Sequence, residues 1–407
     1  MGCRRVEHVD QGQARQRAAA TVGAGRDGGV VEPAGEREQR RRLVGVEDHV
    51  GAVVVHDHQR RHGRGVLRVG PGPVGGHRAD GSVGAVHAVT IVDGDLQWRS
   101  RPDPRPGRRE LLVAVRAAGL NGADMLQRRG FYPAPPDAPG DVPGLELAGE
   151  VVEVGDGVED FAVGDRVMAV VSGGGQAELA VVHERTAIRV PAGLGWPEAG
   201  GFAEVFTTAH DALATQCGLG PGEHLVVHGA AGGVGVAGVQ LGILTGARVT
   251  ATVRDPGLRH AVAELARAVG GADAPITVTA PDGWTDGPPA DVVLELIGGP
   301  NLADDVARLA TGGRIAVIGV GGGARAELDL LGLMGRRGRI HGSTLRARPL
   351  EQKADAAHRV ARHVVPALAA GRLRVPVAAT YPMADAAAAY DRFTAGGKLG
   401  KIVLTAD

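Results

Sequence analysis

The run Val226-Val227-His228-Gly229-Ala230-Ala231-Gly232-Gly233-Val234-Gly235 sets a cluster of small residues between two apolar segments. Glycines at such a junction let the backbone turn sharply and approach a ligand closely. A helix beginning there presents unpaired N–H groups and the positive end of its dipole, which suits an anionic pyrophosphate. His224 to His228 reads as a strand, Val236 to Leu244 as the helix after it, and Ala247 to Thr252 as the next strand. That context is what a dinucleotide-binding turn requires. A lone glycine cluster would carry less, since the 407 residues include 66 Gly, and a plain structural turn is the competing reading. Ala231, Gly232, Gly233 and Val234 are the candidate pyrophosphate residues, with Ala230 where a strict G-x-G-x-x-G has its first glycine.

The end of the second strand of such a fold decides between dinucleotides. An acid there binds the adenosine ribose of NAD, whereas a cation serves the 2′-phosphate of NADP. Here Val253 stands at the acid position, followed by Arg254, Asp255 and, further on, Arg259. Arg254 favours NADPH. Asp255 would either repel the 2′-phosphate or pair with Arg254.

The elements that must position these residues form two patterns. His87 to Val92, Glu110 to Ala118, Gly149 to Val154, Arg166 to Val171 and Gln176 to Val182 read as short strands punctuated by Gly and Pro, with β-barrel spacing. Beyond a helical stretch through Glu198 to Leu213, strands alternate with helices: His224 to His228, Arg248 to Thr252, Ile276 to Thr279, Asp291 to Leu296, Arg314 to Val317 and Arg339 to Gly342. Six such strands predict a doubly wound parallel sheet. Two more helical stretches follow Arg346, one of them around Ala384 to Phe393, and a last strand, Lys401 to Thr405, is expected to return to the first domain. The fold class is therefore α/β, a small barrel plus a Rossmann sheet.

Composition separates a third region. Residues 1–85 contain no Phe, Trp, Tyr, Ile or Lys and hold 14 Arg against 10 acids. Such a segment cannot readily bury a core, and it is expected to be a disordered extension or sequence wrongly included in the reading frame, the working protein starting near Val86. A basic tail could touch nucleic acid, but a solvated extension is the plainer reading. Two cysteines, Cys3 and Cys217, make no disulfide framework. No run of about 18 apolar residues predicts a membrane span, and the start lacks a secretory signal, so a cytoplasmic location is expected.

From Val86 onward the chain resembles the medium-chain dehydrogenase/reductase superfamily, in the zinc-free, zeta-crystallin-like quinone oxidoreductase branch and nearest its tumour-suppressor-inducible group. The stretches that carry the resemblance are Gly119 to Pro133, Gly144-Leu145-Glu146, Gly173 to Glu178, Ala230 to Gly235, Gly342 to Arg348 and Gly400-Lys401-Ile402-Val403-Leu404, in the family order. The resemblance implies a GroES-like substrate domain from 86–206 and 346–407 and a Rossmann domain over 207–345.

It also implies roles. Asn121 and Tyr132 match polar positions beside the nicotinamide and the acceptor, Tyr132 being the candidate to orient or protonate the acceptor oxygen and an ordinary loop aromatic its alternative. Thr208 matches a position near the carboxamide, Ile318-Gly319-Val320 a backbone segment along the nicotinamide, and Lys401 a cleft lysine, with a solvated lysine as the alternative. Zinc-dependent relatives have Cys and His where this chain has Asn121 and Leu145, which cannot replace them, so no metal is expected. The implied activity is NADPH-dependent reduction of a quinone. An enone or alkenal reductase shares the same features, and a largely non-catalytic RNA-binding or crystallin-like protein is the alternative of another class. A small-molecule quinone or conjugated carbonyl is the expected partner. A homodimer is expected through an edge strand, at Arg314 to Gly319 or the following segment.

Overall fold

The computed structural model describes residues 85–406, so the expectations for residues 1–84 lie outside the described residues. The chain opens with a hairpin of β1 (Ala85–Val92) and β2 (Asp95–Pro102). There follow β3 (Glu110–Gly119), the short helix α1 (Gly122–Arg128), β4 (Glu146–Val154), β5 (Arg166–Val170), β6 (Leu179–His183) and β7 (Ala187–Arg189). Two helices, α2 (Trp196–Gly200) and α3 (Ala203–His210), lead to the second sheet.

That sheet contains β8 (His224–Val227), β9 (Arg248–Thr252), β10 (Ile276–Thr279), β11 (Ala290–Glu295), β12 (Leu309–Val317) and β13 (Arg339–Gly342). Its connections carry α4 (Gly233–Thr245), α5 (Pro256–Gly270), α6 (Gly299–Ala307) and α7 (Leu330–Arg336). The chain then forms α8 (Leu350–His363), α9 (Val365–Ala369), β14 (Val377–Pro382), α10 (Ala386–Thr394) and β15 (Lys401–Thr405).

Two sheets organise the whole. The first has the order β14-β15-β3-β4-β5-β7, with β6 also on β3. Its hub is β3, whose apolar residues from Leu111 to Val115 are buried. The returning strand β15 pairs antiparallel with β3, as the sequence led one to expect. The second sheet is parallel, in the order β10-β9-β8-β11-β12-β13, with the chain reversing direction across the sheet between β8 and β11. Ligands of open α/β sheets bind at that reversal, outside the carboxyl ends of the strands. The glycine run leaves β8 there. Helix α4 is apolar nearly all round because it is buried from Gly235 to Ile243, between the sheet and its neighbouring helices.

Three departures from the sequence reading have physical causes. Strand β2, DLQWRSRP, pairs with β1 along its full length yet keeps a largely polar, exposed face, so its alternation is weak. Strand β14 was hidden by its small residues and terminal Pro382. Strand β12 is paired on both sides, so the open edge of this sheet is β13 rather than Arg314 to Gly319. The segment after β12 carries exposed apolar groups instead: Leu328, Leu330, Leu331 and Met334. Among the described residues no helix is long and apolar enough to cross a membrane.

Candidate active site

The glycine run forms a tight cradle against the first sheet. Gly400 donates its N–H to the Ala231 carbonyl at 2.8 Å, which ties the approach to β15 to the turn before α4. A Cβ on Gly233 would lie 2.8 Å from Val205 Cγ1 and 2.9 Å from Lys401 Cδ, and one on Gly235 only 2.4 Å from the Gly229 carbonyl oxygen. Side chains are excluded there, and the first-turn N–H groups of α4 stay open to an anion. The cradle thus fits a dinucleotide pyrophosphate on its own geometry.

Beside it lies a buried polar network. Lys401, 2% exposed, directs Nζ to Glu146 Oε1 at 2.6 Å, the Leu120 carbonyl at 2.6 Å and Asn121 Oδ1 at 2.7 Å. The solvated-lysine alternative is thereby corrected. Asn121 Nδ2 donates to Glu146 Oε1 at 3.0 Å and to the Gly119 carbonyl at 3.2 Å, so both ends of its amide are engaged inside the protein. Glu146 Oε2 accepts the Glu204 N–H at 2.9 Å, fixing the start of α3 to β4. Asp124 accepts the Asn121 N–H at 2.8 Å and the Gly144 N–H at 3.2 Å. Burial pushes the Asp124 carboxyl up to about 6 against those hydrogen bonds.

The other wall carries Tyr132 and Arg346. Arg346 lies over the Tyr132 ring, 5.1 Å from its centroid, and donates to the Tyr132 carbonyl at 2.8 Å, to Gln127 Oε1 at 2.7 Å and to the Ser172 carbonyl at 2.7 Å. Burial raises the Tyr132 phenol above its ordinary range, and the nearby Glu204 carboxyl adds to the effect. Thr208, one turn after Glu204 on α3, donates its hydroxyl to Glu204 Oε1 at 3.3 Å. Burial and the Glu146 carboxylate push Glu204 up to about 8.

Ile318 and Gly319 leave β12 with their N–H groups on the Glu295 carbonyl, while Val320 is exposed. Arg254 is exposed at the end of β9, and a Cβ on Gly396 would lie 3.8 Å from its Nη2. Asp255 does not pair with Arg254. Its Oδ1 caps α5 by accepting the Gly257 N–H at 2.9 Å. Arg259 Nε donates to the Val253 carbonyl at 3.1 Å. Lys398, which sequence reasoning missed, sits 4.4 Å from the Phe393 ring centroid and donates to the Gly400 carbonyl at 3.2 Å. Burial, then Lys401 and Arg392, push it down to about 8.

Behind the cradle lies a second buried cluster. His228, the residue before Gly229, meets Asp305 Oδ1 at 2.9 Å through Nε2 and Thr252 Oγ1 at 3.1 Å through Nδ1. Glu295 lies 3.9 Å from the same Nε2, and its carboxylate accepts the N–H groups of Ile297 and Gly298 and the Asn301 amide. The cluster joins the ends of β8 and β11, the two strands flanking the reversal. Burial raises Asp305 to about 6.

Glu146, Glu204, Asp124, Lys398 and Arg346 were not singled out as site residues from the sequence. The available signal was a carboxylate within a run otherwise buried, as in Glu146-Leu147-Ala148-Gly149. A solitary acid of that kind is rarely buried without a partner.

Comparisons with known proteins agree with this architecture. Residues 107–217 match the alcohol dehydrogenase GroES-like domain family, and residues 270–404 match the zinc-binding dehydrogenase family. The quinone oxidoreductase of Lama guanicoe is 30% identical over 304 residues, covering 74% of this chain and 90% of that protein. Erythronolide synthase EryA2 of Saccharopolyspora erythraea is 36% identical over 304 residues, 73% of this chain, but the match spans only 8% of that synthase. The crystal structure of a probable oxidoreductase from Mycobacterium abscessus superimposes with a TM-score of 0.67 and 29% identity, over 80% of this chain and 100% of that one. The chain belongs to the medium-chain dehydrogenase/reductase superfamily, in its quinone oxidoreductase branch. It is an oxidoreductase of the type that uses a nicotinamide dinucleotide.

Proposed function

We propose that the protein reduces a quinone at the expense of NADPH, without zinc. The observation that carries this reading is the Asn121–Glu146–Lys401 network beside the glycine cradle. At the two positions where zinc-dependent relatives hold Cys and His, Asn121 has both amide ends engaged and Leu145 has no donor atom, while the adjacent Glu146 is held by Lys401. Such a donor set does not suit a catalytic zinc. A quinone is electrophilic enough that alignment and exclusion of water can do much of the catalysis.

The nicotinamide supplies a hydride equivalent when bound. Ala231, Gly232, Gly233 and Val234 would hold the pyrophosphate, Thr208 the carboxamide end, and Ile318, Gly319 and Val320 one face of the ring. Arg254, free of Asp255, supports the choice of NADPH. Tyr132 orients the acceptor oxygen, and Asn121 with Lys401 keeps the floor of the cleft rigid. A homodimer is part of the same proposal, supported by the open edge of β13 and the exposed Leu330, Leu331 and Met334 beside it.

A second reading, reduction of a conjugated enone, is favoured by a likeness to part of a polyketide synthase as strong as that to quinone oxidoreductases. Product analysis with NADPH against a panel of quinones and enones separates the two. Hydroquinone formation with little enone turnover supports the proposal, and rapid enone reduction with no quinone turnover rejects it.

A further inference from the structure

Either acceptor needs a proton as well as a hydride, and the cleft contains few groups able to deliver one. Lys401 Nζ is spent on three buried acceptors, and Asn121 has no free amide proton. Asp124 is fully buried beneath the network and faces backbone N–H groups. The Tyr132 phenol holds its proton more tightly than usual. Glu204 differs from all of these. It stands one turn before Thr208 on the same helix, is partly exposed, and has one carboxyl oxygen on the Thr208 hydroxyl. The ionisable groups acting on it are Glu146 from β4, Lys401 from β15 and Asp124 from α1, with Tyr132 and Arg346 across the cleft.

We infer that Glu204 is the proton donor to the reduced acceptor, an assignment that rests on the hydride-transfer reading above. The acceptor gains two electrons and one hydrogen as hydride from the reduced nicotinamide. The Glu204 O–H bond breaks and its proton passes to the developing hydroquinone or enolate. The carboxylate left behind recovers its proton from water. Burial next to the Glu146 carboxylate keeps Glu204 protonated at neutral pH, which is the state a donor requires.

The test compares the full-length protein with E204Q, E204D and Y132F, using the better of the quinone and enone acceptors. Wild-type kcat is expected to fall above about pH 8 as Glu204 ionises. E204Q should lose about 100-fold or more at pH 7 and lose that pH limb, with NADPH affinity by fluorescence titration unchanged. E204D should recover part of the rate with a displaced limb, and Y132F should keep the limb. An infrared band of a protonated carboxyl that disappears with a midpoint near 8, and is absent from E204Q, would report the same group without turnover. E204Q active within threefold of wild type across pH 6 to 9 overturns the assignment, as does a loss explained wholly by weaker NADPH binding. Wild type inert towards every acceptor, despite the infrared band, rejects the hydride-transfer reading and the donor role together.

Discussion

Replacing Lys401 with Met probes how far the cleft depends on one buried ion pair. The Lys401 and Glu146 side chains are 3% and 0% exposed, and their charged atoms are 2.6 Å apart. Removing one member of such a pair strands the other charge, at a cost of about 3–5 kcal/mol. Glu146 would still accept from Asn121 Nδ2 and the Glu204 N–H, which favours the lower end of that range. Against this, the Leu120 carbonyl and Asn121 Oδ1 would each lose a donor, at about 1 kcal/mol apiece. The expected loss is therefore about 5 kcal/mol, a large part of the about 5–15 kcal/mol typical of a folded domain. Urea denaturation of the cofactor-free protein at pH 7 measures it. Adding Glu146→Gln to Lys401→Met should recover part of the loss, since the stranded charge is gone. A loss under about 1 kcal/mol for Lys401→Met, or a double variant as unstable as the sum of the single ones, would refute the view that the pair is electrically closed and buried.

Two further outcomes follow from the geometry. Arg254→Ala should weaken NADPH binding about tenfold while leaving NADH nearly unchanged, because Asp255 caps α5 and leaves the guanidinium available for a 2′-phosphate; equal effects on both cofactors would give Arg254 another task. Asp305 has a folded-state value raised from 3.8 to about 6, so its contribution to stability is present below 3.8 and is lost as pH rises through 6. Thermal melts of wild type and Asp305→Asn should accordingly shift against wild type between pH 4 and pH 7, and parallel curves would show that Asp305 does not carry the proton.

The nucleotide sheet was legible because its strands are short apolar runs bounded by glycine, and the turn before α4 announces itself through Gly232, Gly233 and Gly235. Those signals are local. The cleft network is not local: Lys401, Glu146, Asn121 and Glu204 come from β15, β4, the start of α1 and α3, and no periodicity links them. Lys401 consequently read as a cleft residue only through the family resemblance, with a solvated lysine as its alternative. Glu204 fell unremarked within the helical stretch from Glu198 to Leu213, because its partner Glu146 lies on a distant strand. Asp255 illustrates the same limit at short range, since capping α5 or pairing with Arg254 depends on a side-chain direction that residue order does not fix.

Hydride transfer without a metal is most directly tested with NADPH deuterated at the transferred C4 position, a quinone acceptor and protein whose zinc content has been measured. A primary isotope effect on NADPH oxidation, no stoichiometric zinc and no loss of rate with a chelator are expected. A rate abolished by the chelator and restored by zinc, or no oxidation of NADPH by any quinone, would contradict it.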